Sequence, residues 1–187
     1  MPDWKNSTAL IVVDVQKGFD DTAFWGERNN GDCEANIAKL IDEWRHHGWP
    51  VVFVRHASKN PSSPLVEGSS GFEFKDVITG EPDLLITKSV HSAFYGDVDL
   101  DAWLKSHEIS GVAVCGIQTN MCCETTARMA SDLGYSLIFI LDATHTFDVL
   151  TPTRKVYRAR EIARYTAVTL EADFGDVMNT SDLLAGD

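Results

Sequence analysis

Long apolar runs are missing from this chain of 187 residues; none approaches the roughly 18–20 residues that a membrane helix requires. Residues 1–8 lack the basic start of a secretory signal, and the apolar stretch 9–13 is too short for its core, so a cytoplasmic protein is expected. Positive charge is also scarce. Sixteen Lys and Arg stand against 28 Asp and Glu, giving a formal charge of −12 with no compensating basic block. Nucleic acid and anionic membranes need a basic surface and are therefore not expected as partners. The four cysteines, Cys33, Cys115, Cys122 and Cys123, form no CxxC pair and no secreted-type framework, so reduced thiols are expected. The turn after the first apolar run, Asp14-Val15-Gln16-Lys17-Gly18, contains one glycine, too few for a phosphate-cradling loop. The remaining composition, 44% hydrophobic and 24% charged, is that of a globular chain, and the length suits one domain over 1–187.

What the sequence does contain is alternation. Short β-branched runs at 8–13, 50–56, 84–87, 111–115, 136–141 and 165–170 read as strands. Helical spacing lies between most of them. Ile37, Leu40, Ile41 and Trp44 fall at i, i+3, i+4 and i+7, and Gly48 ends that helix. Residues 119–133 repeat the scheme, with Thr119 as N-cap and Gly134 as the stop, and Pro152 opens a further helix to about Arg164. Such alternation predicts a mainly parallel sheet with helices on both faces, a three-layer α/β/α, Rossmann-like fold. Two segments, 18–31 and 58–80, break the pattern. Both follow strands, so both should lie over the carboxyl edge of the sheet, where open α/β sheets bind ligands.

Three reactive side chains fall just beyond strand ends on that edge. Asp14 ends the first run, and a carboxylate there is costly unless it has a partner or a task. Lys88 follows the third run. Cys122 lies where the fourth run passes into a helix, so its thiol sits close to a helix N-terminus, which favours a thiolate and offers N–H groups to an oxyanion. Adjacent helical side chains diverge by about 100°, so Cys123 should pack against the sheet. Cys115 reads as core filler and Cys33 as a neutral residue at a helix start.

Four motifs add to this reading: Val13-Asp14-Val15-Gln16 with Phe19; Lys88 with Ser92-Ala93-Phe94; Gly116-Ile117-Gln118-Thr119-Asn120-Met121-Cys122 running into Thr126-Ala127; and Asp142-Ala143. In their order and separations the chain resembles the isochorismatase-like cysteine hydrolase superfamily, which includes nicotinamidases and N-carbamoylsarcosine amidases. The resemblance implies a six-stranded sheet in the order 3-2-1-4-5-6. It also implies a Cys122, Asp14 and Lys88 triad, and a cis peptide at Ile117–Gln118 that brings the Gln118 and Cys122 N–H groups to one oxyanion position. The activity implied is hydrolysis of a C–N bond in a small amide or carbamoyl compound, through a thioester on Cys122.

The same resemblance bears on cofactors and partners. Several nicotinamidases hold a metal through Asp-x-His after the second strand, but here Val54 stands in the place of that Asp, before Arg55 and His56. His56 and His91 without a carboxylate make a poor site, so neither a metal nor an organic cofactor is expected. Phe19, Phe24, Trp25, His56, Phe94, Tyr95 and Phe147 are the expected substrate contacts. A small-molecule amide and water are the expected partners, and relatives suggest a homo-oligomer, either dimer or tetramer. The isochorismatases proper cleave a vinyl ether and lack the nucleophilic cysteine. Hydrolysis of another small metabolite stays open as an alternative, as does a non-catalytic ligand-binding or redox module on the same fold.

Overall fold

A computed structural model describes residues 7–185. Its central sheet is parallel, in the order β3-β2-β1-β4-β5-β8. The strands are β1 (Thr8–Val13), β2 (Val51–His56), β3 (Leu84–Lys88), β4 (Gly111–Ile117), β5 (Ser136–His145) and β8 (Asp176–Met178). Both faces of the inner strands are buried, as parallel strands between helices require. Ala9, Ile11 and Val13 of β1 enter one core with Leu100 and Leu104 of α3 (Leu100–Ser106), Ala127 and Ala130 of α4 (Glu124–Asp132), and Leu170 of α5 (Ala159–Asp173). Leu10 and Val12 enter the other core, with α2 (Cys33–His46) and with Leu183 of α6 (Thr180–Leu184). Ile37, Leu40, Ile41 and Trp44 of α2 are the buried face that their spacing predicts, and Gly48 beyond its end takes φ +68°.

The last part of the chain departs from the expected pattern. Residues 165–170 are not a strand but lie inside α5, whose buried residues Ala159, Ala163, Thr166 and Leu170 recur at helical intervals, while Tyr165 and Val168 are exposed. The sixth strand of the sheet is instead the three-residue β8, on the edge beside β5. No helix begins at Pro152. It sits in the turn of a small hairpin, β6 (Val149–Leu150) with β7 (Val156–Tyr157), closed by Thr151, whose N–H bonds the Lys155 carbonyl and whose hydroxyl accepts from the Lys155 N–H. The helix starts later, where Asp148 accepts the Ala159 N–H at 2.7 Å.

The order reverses at β1, which pairs with β2 on one side and β4 on the other, so the loops leaving β1 and β4 emerge side by side. Val13 pairs with Gly116 there. A Cβ on Gly116 would lie 2.0 Å from the Val13 carbonyl oxygen, and its φ is +128°, so only glycine permits this approach. The fully buried Gln16 then ties the segment 58–80 to the sheet. Its amide nitrogen donates to the Phe72 carbonyl (2.9 Å) and the His56 carbonyl (3.2 Å), and its oxygen accepts from the His56 N–H (2.8 Å).

A second anchor is charged. Arg28 grips Glu34 with two bonds of 2.7 Å, and Lys75 bonds both Glu34 (2.7 Å) and Asp20 (2.6 Å), so 18–31 and 58–80 are held to the start of α2. Burial opposes ionisation of Glu34, yet the bonds from Arg28 and Lys75 prevail and hold its pKa at about 2. His145 lies alongside, fully buried, with Nε2 3.7 Å from Glu34 and neither ring nitrogen hydrogen-bonded among the described residues. Burial, then the nearby Arg28 charge, depresses its pKa to about 3 despite Glu34, so the ring is neutral.

Both depressed groups make the fold lose stability on acidification. The His145 contribution is complete above its unfolded pKa of 6.5 and declines below it, whereas that of Glu34 declines only below about 4.5. His145→Phe should therefore flatten the fall in unfolding free energy between pH 6.5 and 4.5 and leave the steeper fall below it. Denaturant titrations across that range measure this, and an unchanged slope would show that His145 is not held neutral.

Candidate active site

Asp14 leaves β1 at φ +53°, a left-handed conformation that Asp tolerates better than most residues, and its backbone N–H still bonds the Val54 carbonyl at 2.8 Å. Lys88 ends β3, two strands away. Each strand spacing is about 4.8 Å, so only a long side chain spans β2 to reach β1. The Lys88 ammonium does so, meeting Asp14 Oδ2 at 2.6 Å with both side chains fully buried. His56, directly opposite Lys88 in the register, lies between, with Nδ1 3.4 Å from the ammonium. Burial alone would lower the Lys88 pKa, but the Asp14 carboxylate beside it outweighs burial and the pKa is raised. Burial and Lys88 lower the pKa of His56.

Cys122 comes from the other side of the switch point. β4 ends at Ile117, the Ile117–Gln118 peptide is cis, and Thr119–Cys123 forms a π-helical turn before α4. Thr119 is thus inside the turn rather than its cap, and its hydroxyl donates to Thr144 (2.9 Å). The Met121 and Cys123 N–H groups both bond the Gln118 carbonyl, at 3.1 and 3.2 Å. Cys122 borders a cavity of about 230 Å³. His56, His91 and Gln118 share that wall, and Phe19, Trp25, Leu65 and Met121 complete it. Cys123 is wholly buried against the sheet, and Cys33 and Cys115 lie in the opposite core.

The surroundings of Cys122 favour the thiol over the thiolate. Burial, then the Asp14 carboxylate, pushes its pKa well up, against the opposing pull of Lys88. The helix-start argument from sequence is outweighed here. Asp14 Oδ1 is buried and has no hydrogen-bond partner among the described residues, while Asp14, His56 and Cys122 each offer an atom within 4.8 Å of the others. A buried carboxylate beside a protonated thiol can take its proton.

The Isochorismatase domain model matches residues 8–173. The chain belongs to the isochorismatase family. It is 38% identical over 177 residues to the uncharacterized isochorismatase family protein YrdC of Bacillus subtilis, covering 94% of each chain. It is 32% identical to nicotinamidase 3 of Arabidopsis thaliana, over 75% of this chain and 74% of that protein. Among solved structures, an isochorismatase-family hydrolase from Chromobacterium violaceum superposes with a TM-score of 0.89 at 30% identity, covering 96% of this chain and 93% of that one. This is a hydrolase on the isochorismatase fold, and no helix among the described residues is long and apolar enough to cross a membrane.

Within this isochorismatase-family site the aromatic residues divide. Phe19 and Trp25 line the cavity with His56. Phe147 does not; it is buried behind them, stacked on Trp25 at 5.6 Å and on Phe19 at 6.2 Å. Phe24 is half out in solvent, edge-on to Trp25, Phe94 packs against Tyr135, and Tyr95 is exposed. Sequence reasoning missed Leu65 and Met121 as wall residues. Neither carries a reactive group, and only the folded loops place them. Asp142 lies within β5 and has a structural task, accepting the Thr180 N–H and hydroxyl at 2.7 and 2.8 Å where α6 begins.

Asp14, His56 and Cys122 form the one cluster among the described residues with metal-ligating spacing. As a donor set it does not fit a metal. The Lys88 ammonium already bonds Asp14 and His56, so a second cation would meet a buried positive charge at contact range. Val54, in the place of a ligating Asp, is core.

Lys88→Met should slow alkylation of Cys122 at neutral pH and move its pH curve upward, because the group that lowers the thiol pKa is lost while Asp14 remains. Rates of iodoacetamide labelling from pH 6 to 10, with thermal unfolding to confirm folding, test this. A curve that coincides with that of the wild type would take Lys88 out of the site.

Proposed function

We propose that the protein hydrolyses a C–N bond in a small amide or carbamoyl compound, with Cys122 as nucleophile. The observation that carries this reading is the position of Cys122: of the four cysteines it alone borders the cavity, next to the buried Lys88–Asp14 pair. Nicotinamidase activity in a relative, which by its name is amide hydrolysis, agrees with that chemistry.

Asp14 takes the thiol proton as sulfur attacks the amide carbon, and Lys88 holds the carboxylate in place and balances the charge that develops. The carbonyl oxygen becomes an oxyanion. The Gln118 and Cys122 N–H groups are its donors in this reading, as the family resemblance implies. Collapse of the tetrahedral species breaks the C–N bond. The proton held by Asp14 passes to the nitrogen, and ammonia or an amine leaves a thioester on Cys122. Water, deprotonated by Asp14, then attacks the thioester, releasing the acid and restoring the thiol. His56, with its lowered pKa, is neutral at pH 7 and can orient that water without competing with Lys88 for Asp14.

Cys122→Ala should abolish ammonia release from a panel of primary amides, while Cys123→Ala keeps most of it and loses some stability from the core. Mass spectrometry of the quenched wild type should place the acyl group on the peptide at Cys122; an adduct on Cys123 would overturn the assignment.

Exhaustive chelation should leave turnover unchanged, because Lys88 fills the place a metal would need. Activity lost on chelation and restored by zinc or iron would show that His56 and His91 recruit a metal after all.

A further inference from the structure

The walls of the cavity carry more information than the triad. Apart from Cys122, their apolar residues are Phe19, Trp25, Leu65 and Met121. The one donor of Trp25, its indole N–H, is spent on the Gly18 carbonyl at 2.8 Å, so this residue offers the cavity only its ring. The polar wall residues are His56, His91 and Gln118, and burial and the Lys88 charge disfavour a protonated His56. No Lys or Arg among the described residues lines the cavity. The cations in the surrounding segments that are not solvent-exposed all have other partners. Arg28 is bonded to Glu34, Lys75 to Glu34 and Asp20, and Lys88 to Asp14. Arg55 bonds the Thr87 hydroxyl at 3.0 Å and lies over the Phe72 ring at 4.6 Å.

Resting on the amide-hydrolase reading above, we infer that the acyl portion of the substrate is uncharged and mainly apolar: a small neutral carboxamide, and not a carbamoyl amino acid or another amide that carries a carboxylate. A carboxylate in this cavity would lose water without gaining a counter-charge, and the overall charge of −12 adds no compensation. The apolar wall, by contrast, gains from each methylene or ring carbon it covers. The volume of about 230 Å³ is below the range of drug-sized pockets and suits a single ring or a short alkyl chain.

Matched pairs of probes test the inference above the titration range of histidine. Pentanamide is compared with glutaramate and benzamide with terephthalamate, pairs in which one partner carries a carboxylate, and N-carbamoylglycine is added as a carbamoyl acid. The neutral member of each pair should show kcat/KM greater by on the order of 100-fold, and N-carbamoylglycine should be turned over no better than glutaramate. Met121→Arg, which places a cation at an exposed edge of the cavity, should narrow that ratio by about tenfold or more, whatever it does to the absolute rate. Equal or better turnover of the anionic members would overturn the inference.

Binding separates this inference from the reading beneath it. Calorimetry on Cys122→Ala with the same probes needs no chemistry. Neutral amides bound in preference to anionic ones, with no turnover by the wild type, would sink the hydrolase reading and leave the cavity's selectivity intact. Failure of both classes to bind, or preference for the anions, would sink the inference.

Discussion

The site depends on one buried ion pair. Lys88 and Asp14 meet at 2.6 Å with both side chains out of solvent, and neither charge could remain there without the other. Such a pair gains little net stability, since desolvation takes back most of the attraction, but removing one member typically costs about 3–5 kcal/mol. The pair also fixes geometry. It ties the end of β3 to the end of β1 across β2, and holds the Asp14 carboxylate beside the turn that carries Cys122. Its two charges pull the thiol in opposite directions, and their balance sets the ease with which a proton moves from sulfur to carboxylate.

Magnitudes decide why that proton starts on sulfur. A helix terminus favours a thiolate by at most about 2 kcal/mol. Full burial can move a pKa by about 3–5 units, at about 1.4 kcal/mol each, in the opposite direction. Cys122 is only 7% exposed, and an acidic neighbour adds to the effect of burial. A thiol placed this way needs a base within reach, and Asp14 Oδ1, buried and without a hydrogen bond, is the atom that can serve. The burial that disfavours the thiolate thus comes with a carboxylate close enough to accept its proton.

Much of this was legible in the sequence where local pattern and tertiary demand agree. The α2 face, the first five strands, the packing of Cys123 into the core and the convergence of Asp14, Lys88 and Cys122 on one sheet edge all follow from period and position. The failures share a cause. Residues 165–170 have the β-branched and aromatic composition of a strand, and only the intervals of Ala159, Ala163, Thr166 and Leu170 over a longer window show the helix. The edge strand β8 is three residues long and owes its conformation to pairing with β5, which leaves little trace in its own residues. The π-helical turn at Thr119–Cys123 and the hairpin around Pro152 are likewise set by their hydrogen-bond partners, not by propensity. The same holds for the cavity wall. Aromatic residues near the sheet edge were easy to nominate, but which of them face the cavity depends on how two loops fold over it.

How those loops are fastened explains the character of the cavity. Gln16, itself fully buried, fixes one loop through backbone groups, and Arg28, Glu34 and Lys75 fix both through charge. In a chain with 16 basic residues against 28 acidic ones, Arg28, Lys75 and Lys88 each meet an anion inside. Glu34 alone takes two of them, and Asp14 takes a third. Once the scaffold has used its buried positive charge in this way, the cavity is lined by Phe19, Trp25, Leu65 and Met121 together with His56, His91, Gln118 and Cys122. An acidic composition, which says nothing by itself about a small substrate, thus acts on the cavity through the pairing it imposes on the few cations available.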